Sequence, residues 1–391
     1  MGGLWPRLFI VLILVGVAAS SRPLAFFMVG LGWLVLIVLI IYKGIYQGRY
    51  LPQFVLDALD RRERSRQDLA RLQTKMIALD AEQLTSKVKA RVIGQDRAIE
   101  QIARTLRRRF LARRPNKPLA VFCFAGPPGV GKTHLAKVLA EVLYGDPRHL
   151  HFIDMSQNSA STLFGSPKGY LGSDSYGQLT AALRDFPNSV VLLDEFEKAD
   201  HEVHTRFLTA WNDGFVTEVS DGSKFSTSET IFILTTNAAA RRISELARDE
   251  SARPEELEQL VKAALAEAHF APEVLSRIDE VFAFREIRGL DVARVVALEI
   301  EGMARQYDLQ VAEAGIDPQI LMQAIDRATE TAGQGGVRAI ARDLEQQIAD
   351  GLVDARIAGA TQVRFSAEDT KIHVIPVAEG SAPAAAPAGS S

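Results

Sequence analysis

Residues 126 to 133 read Gly126-Pro127-Pro128-Gly129-Val130-Gly131-Lys132-Thr133, and that octet restricts the fold more than any other stretch. The pattern G-x-x-x-x-G-K-[ST] wraps phosphate oxygens when a strand precedes it and a helix follows. Both flanks fit. Leu119 to Ala125 is an apolar run suited to a buried parallel strand. His134 to Leu143 puts Leu135, Val138, Leu139 and Val142 on one helical face. Such a loop makes Lys132 the ligand of the β- and γ-phosphates and the Thr133 hydroxyl a ligand of Mg²⁺. ATP and Mg²⁺ are the cofactors expected.

Some 60 residues on, Val190 to Leu193 is a β-branched and aliphatic run ending in Asp194-Glu195. Open α/β sheets bind ligands at the carboxyl ends of their strands. Asp194 is therefore expected to hold the magnesium through water. Glu195 is expected to orient and polarise the attacking water, because phosphoryl transfer depends on positioning and charge stabilisation.

With these motifs in hand the chain resembles an AAA+ ATPase, specifically the second ATPase module of the Clp/heat-shock unfoldases (the ClpA and ClpB group). The resemblance covers about residues 84 to 375. Val92-Ile93-Gly94-Gln95-Asp96 is similar to the motif whose backbone lines the adenine pocket, which makes Val92 and Ile93 nucleotide contacts. Leu193 to Asp200 (LDEFEKAD) resembles the extended acidic motif of the group. Thr235-Thr236-Asn237 resembles sensor 1, which implies that Asn237 helps place the water. Phe270 to Asp279 resembles the segment carrying an arginine finger, here Arg277. Gly336-Val337-Arg338 resembles sensor 2, with Arg338 at the γ-phosphate. A finger delivered by a neighbouring subunit implies a closed head-to-tail ring, six-membered in this family.

Gly165 to Gly172 (GSPKGYLG) lies between the P-loop and the acidic strand. It resembles the pore loop of Clp unfoldases, so Gly169, Tyr170, Leu171 and Gly172 are expected to grip a polypeptide substrate. Glycines let such a loop move, and tyrosine offers a broad amphipathic contact. Lys168 stands where the group more often has an uncharged residue.

Toward the N-terminus, Leu24 to Tyr42 is an uncharged run of 19 residues, about 28 Å as a helix and long enough for a hydrocarbon core. Leu4 to Ser20 is a shorter apolar stretch, with Ser21, Arg22 and Pro23 between. Arg7, Lys43 and Arg49 flank the pair and argue for a hairpin with both ends in the cytoplasm, although Arg22 counts against it. A signal peptide over residues 1–19, with Val17-Ala18-Ala19 as its small-residue site, is the other reading. Either one leaves the ATPase at the cytoplasmic face of the inner membrane.

The expected organisation is a transmembrane hairpin at 1–43 and a helical connector at 44–86, with Leu69, Leu72, Met76 and Leu79 as a heptad-like stripe. An α/β P-loop large domain, a parallel sheet between helices, follows at 87–284. A mainly helical small domain takes 285–376, and an Ala/Pro tail without core-forming residues takes 377–391. A net charge of −3 gives no basic signature for nucleic acid. The single cysteine, Cys123, sits in the strand before the P-loop and reads as a small buried hydrophobe. Asp200, His201 and His204 lack a full ligand set and read as surface or interface residues. Residues 238–268 contain no glycine, so the aliphatic–Gly–apolar tripeptide with which Clp unfoldases engage a ClpP-type peptidase is not expected.

Together these features imply a membrane-anchored ATP hydrolase that remodels proteins. A nucleotide-switched scaffold that threads nothing, as torsins illustrate, is the other class. Torsins lack the pore aromatic and carry Asn at the position of Thr133. The two classes separate at Tyr170→Ala. Threading predicts retained ATPase with lost substrate remodelling, and unchanged remodelling would favour the switch.

Overall fold

The computed structural model describes residues 80–112, 116–169, 175–249, 251–330, 336–368 and 371–377, together with positions 74 and 77. The expected hairpin, most of the connector, Tyr170 to Gly172 and residues 378–391 lie outside the described residues. Among the described residues, no helix is long and apolar enough to cross a membrane.

Five strands build the large lobe's sheet: β1 (Ala120–Ala125), β2 (Leu150–Asp154), β3 (Val190–Asp194), β6 (Ile231–Thr236) and β7 (Glu280–Ala283). Their order is β2-β3-β6-β1-β7, and every pairing is parallel. Parallel strands buried on both faces read as continuous apolar runs, and β1, β3 and β6 do so. Alternation still divides their side chains. Phe122, Phe124, Leu192, Ile231 and Ile233 face one core; Cys123, Val191, Leu193, Phe232 and Leu234 face the other. Cys123 is fully buried, and burial pushes its thiol up to about 12.

On the first face pack α1 (Ala81–Lys89), α2 (Asp96–Leu111) and α3 (Lys132–Tyr144). Helix α1 spans the expected boundary between connector and large lobe, because Leu84 and Val88 are both buried in this core. The second face is covered by α6 (His201–Asp213), α7 (Ala240–Leu246) and α8 (Pro254–Glu267). Here Phe164, Phe196, Phe207, Trp211 and Phe232 form a contiguous aromatic cluster, with ring centroids 5.4 to 6.1 Å apart. His204, read from sequence as a surface or interface residue, is half-buried and stacked on Phe196 at 4.9 Å. An aromatic partner one helical turn from the acidic motif explains its position.

Short elements connect these parts: α4 (Ala160–Phe164), α5 (Gln178–Asp185), the hairpin β4 (Phe215–Thr217) and β5 (Lys224–Ser226), and α9 (Pro272–Leu275). The small lobe has α10 (Leu290–Gln306), α11 (Pro318–Glu330) and α12 (Gly336–Ile357) against a three-stranded sheet. That sheet contains β8 (Gln310–Ile316), parallel to β9 (Gln362–Glu368), which is antiparallel to β10 (Lys371–Val377). Val377, assigned by composition to the tail, pairs with Gln362 and closes β10. The sequence reading also missed β8. Its AEAG stretch has no β-branched run, and its pairing is interrupted between Val311 and Ile316.

Phe207 is fully buried in the aromatic cluster. Phe207→Ala should cost about 3–5 kcal/mol in denaturant unfolding. Leu290→Ala, at a side chain that is 73% exposed, should stay within about 0.5 kcal/mol.

Candidate active site

The P-loop leaves β1 at Gly126 and enters α3 at Lys132. Gly126 has φ 151°, and an added Cβ would press on the Phe284 carbonyl oxygen at 2.5 Å. Gly129 and Gly131 have φ 75° and 93°, the left-handed region that favours glycine. Gly131 has no side-chain cap on its helix, so the first amides of α3 are available to an anion. Pro127 and Val130 are buried and Pro128 is exposed.

Lys132 is 7% exposed, and its ammonium group donates to the carbonyls of Gly126 and Pro127, each at 2.7 Å. A third bond, at 2.9 Å, runs to Asn237 Oδ1. Burial pulls Lys132 down to about 8, against the opposing pull of Glu197 and then Asp194. The charge is thus held at the mouth of the loop by neutral oxygens that a phosphate oxygen can replace.

The Thr133 hydroxyl donates to Asp194 Oδ1 at 2.9 Å. Two hard oxygen donors converging beside a phosphate-binding loop fit a hydrated Mg²⁺, which keeps several waters and takes few protein ligands. Asp194 Oδ1 also accepts from the Thr235 hydroxyl at 2.6 Å, and that hydroxyl accepts the Glu195 amide N–H at 3.0 Å. Glu195 has φ 55°, unusual for a side-chain-bearing residue. The turn swings its carboxylate out of the strand: Oε1 accepts from Asn237 Nδ2 at 3.3 Å and Oε2 from Lys198 at 2.6 Å.

The structure therefore brings Lys132, Thr133, Asp194, Glu195 and Asn237 together within one chain. Two further members were missed by sequence reasoning. Thr235 bridges the two acids, and its signal was a polar residue closing an apolar strand at the ligand edge. Glu197 Oε1 accepts the Asn237 backbone N–H at 2.9 Å, while its Oε2 is buried with no protein partner. Its signal was a second acid two residues after Glu195.

The motif at 92–96 packs beside the loop. Val92 is buried and Ile93 half-buried. The Gln95 amide donates to the Val130 carbonyl at 3.3 Å and the Arg285 carbonyl at 3.0 Å, tying this segment to the P-loop and to the chain just after β7.

Arg277 is not part of this cluster. It is exposed and precedes β7, whose first residue, Glu280, lies level with Phe122 in β1. Gly126 lies four residue steps beyond Phe122, about 13 Å. Arg277 thus stands at the amino edge of the sheet and the P-loop at the carboxyl edge. Asp279 fixes this corner: its Oδ2 accepts the Val121 N–H at 2.9 Å, and Arg109 pairs with its Oδ1 at 2.5 Å. Arg338 is exposed on the first turn of α12.

Comparison with known proteins agrees with this geometry. The family model described as "AAA domain (Cdc48 subfamily)" matches residues 117–281. Chaperone protein ClpB 1 of Parasynechococcus marenigrum (strain WH8102) is 36% identical over 305 residues, covering 75% of this chain and 34% of the relative. Chaperone protein ClpB of Enterococcus faecalis (strain ATCC 700802 / V583) is 34% identical over 317 residues, covering 76% and 35% respectively. Chaperone protein ClpB of Bacillus cereus (strain ATCC 10987 / NRS 248) is 33% identical over 317 residues, with 76% and 34% covered. The chain spans about a third of the length of the curated relatives it matches. A P-loop on β1, an acid pair on β3 and an asparagine after β6, inside a region matched by the AAA model, make the chain a nucleotide-binding AAA+ ATPase of the Clp-like kind.

Proposed function

We propose that this chain is a membrane-anchored ATPase that remodels proteins by pulling on a polypeptide, working as a ring of six identical subunits. One observation carries the reading: the ATP-site residues gather at one edge of the sheet, while Arg277 stands at the other. An arginine that belongs to a γ-phosphate but cannot reach its own must serve a neighbour's, and a head-to-tail contact of that kind closes into a ring. The relatives' name, chaperone protein, supports a protein substrate.

In the proposed cycle Lys132 exchanges the Gly126 and Pro127 carbonyls for phosphate oxygens. Thr133 and Asp194 would hold Mg²⁺, which would supply positive charge beside the phosphates. Glu195 accepts the proton of the attacking water, and Asn237 Nδ2 orients that water beside it. Glu197 holds the Asn237 backbone in place. Val92 and Ile93 line the adenine pocket. Arg277 of the next subunit and Arg338 of the small lobe meet the γ-phosphate and report its loss. The loop with Gly169, Tyr170, Leu171 and Gly172 carries the motion to a polypeptide. The hairpin at 1–43 and the connector at 44–86 tether the ring, with its ATPase lobes at 87–284 and 285–376 in the cytoplasm, to the inner membrane. Neither nucleic acid nor a ClpP-type peptidase is a proposed partner.

Complementation tests the shared site. Glu195→Gln and Arg277→Ala subunits should each assemble and bind ATP, with turnover lowered by about 10²-fold or more. Mixed, they should recover a fraction of wild-type turnover, because some interfaces pair an intact Glu195 with an intact Arg277. Mixtures no more active than their parts would contradict catalysis across the interface.

A further inference from the structure

Among the described residues Glu218 is an acidic side chain with 0% exposure, and the nucleotide chemistry does not use it. A buried carboxylate is costly unless donors surround it. Glu218 has four: the Gly177 N–H at 2.9 Å, the Ser220 N–H at 3.0 Å, the Ser220 hydroxyl at 2.8 Å and the Thr180 hydroxyl. Burial raises its carboxyl, but these bonds outweigh it and hold the group below the ordinary range.

The donors come from two places. Gly177 and Thr180 lie where the loop 165–177 returns into α5. Ser220 lies in the turn of the β4–β5 hairpin, which is held by Gly222 N–H to the Glu218 carbonyl at 3.0 Å. The outgoing end of the loop joins the same knot. Gly165 has φ 86° and ψ 172°, and any side chain there would collide with the Glu218 carboxylate. A side chain on Gly177 would strike the Gly165 nitrogen and the Leu163 carbonyl. Val219 N–H donates to the Phe164 carbonyl at 2.8 Å. A second tie lies outside: the Tyr176 hydroxyl donates to Asp221 Oδ2 at 2.6 Å, and its ring packs on Phe225.

This knot also touches the nucleotide side. Phe196, next to Glu195, packs on Phe207 at 5.9 Å, and Phe207 packs on Phe164 at 5.5 Å, one residue before Gly165. We propose that Glu218 is a positioning residue that ties Gly165 and Gly177, with the start of α5, to the hairpin turn 218–223, so that these points move together when substrate is engaged. The proposal rests on the reading of residues 169–172 as a polypeptide-gripping loop. The mechanical joint stands on the geometry alone.

The test uses the full chain as wild type, Glu218→Gln and Thr180→Val. It reads amide hydrogen exchange around Gly177 and Ser220, and ATPase with and without a reduced, alkylated, permanently unfolded polypeptide. Glu218→Gln should raise exchange at both segments together, by about tenfold for loss of charge-assisted bonds. Basal turnover and KM for ATP should stay unchanged, while stimulation by the polypeptide falls at least by half. Thr180→Val keeps the carboxylate and should show the same paired response, only smaller, so an unfolded Glu218→Gln protein still leaves a decision. Exchange rising in one segment alone, or full stimulation in Glu218→Gln, would overturn the proposal. A wild type that the polypeptide does not stimulate would instead sink the loop reading, and the paired exchange would still decide the joint.

Discussion

Everything at the nucleotide site depends on three parallel strands ending level. Ala125 of β1 lies opposite Thr236 of β6, and Leu193 of β3 opposite Leu234. That register sets the P-loop, the acid pair and Asn237 side by side. The Gly126 N–H donates to the Thr236 carbonyl at 3.3 Å, so the ladder runs right up to the loop. A slip of one residue would turn every strand side chain to the other face. It would also bury Asp194 or expose Leu193. The two apolar cores therefore fix the chemistry as well as the stability.

The same sheet separates the two kinds of positive charge. Lys132 is buried and held by carbonyls at the carboxyl edge. Arg277 is exposed at the amino edge, beside a corner pinned by Asp279. A rigid sheet with opposite ends so equipped suits assembly in which one subunit completes the next, the arrangement proposed above. The aromatic cluster on the second face then lies between the acid motif and the neck of the loop 165–177. The turn at Glu195 and the start of the segment at Gly165 are thereby joined through packed rings.

Much of this was legible in the sequence because the signals are local. The octet 126–133 has its own flanking strand and helix, and β3 announces itself by four aliphatic residues before Asp194. Less local features were missed. Thr235 and Glu197 matter only once β6 and β3 are neighbours, a pairing that sequence spacing does not reveal. Glu218 reads as an ordinary turn acid until Gly165 and Gly177, some 40 to 50 residues earlier, close around it. Strand β8 carries too little β-branched pattern to declare itself. The small lobe's mainly helical character was legible, because its apolar spacing is regular over α10, α11 and α12.

The central claim is that ATP turnover at this site acts on a polypeptide held by the loop around position 170. The most direct measurement places a photo-crosslinking residue at 170 in full-length Glu195→Gln protein in membranes, and compares ATP with its absence. The account predicts covalent capture of polypeptide that depends on ATP. An assembled, ATP-bound protein whose position 170 captures no polypeptide would contradict it, and would favour a scaffold switched by nucleotide alone.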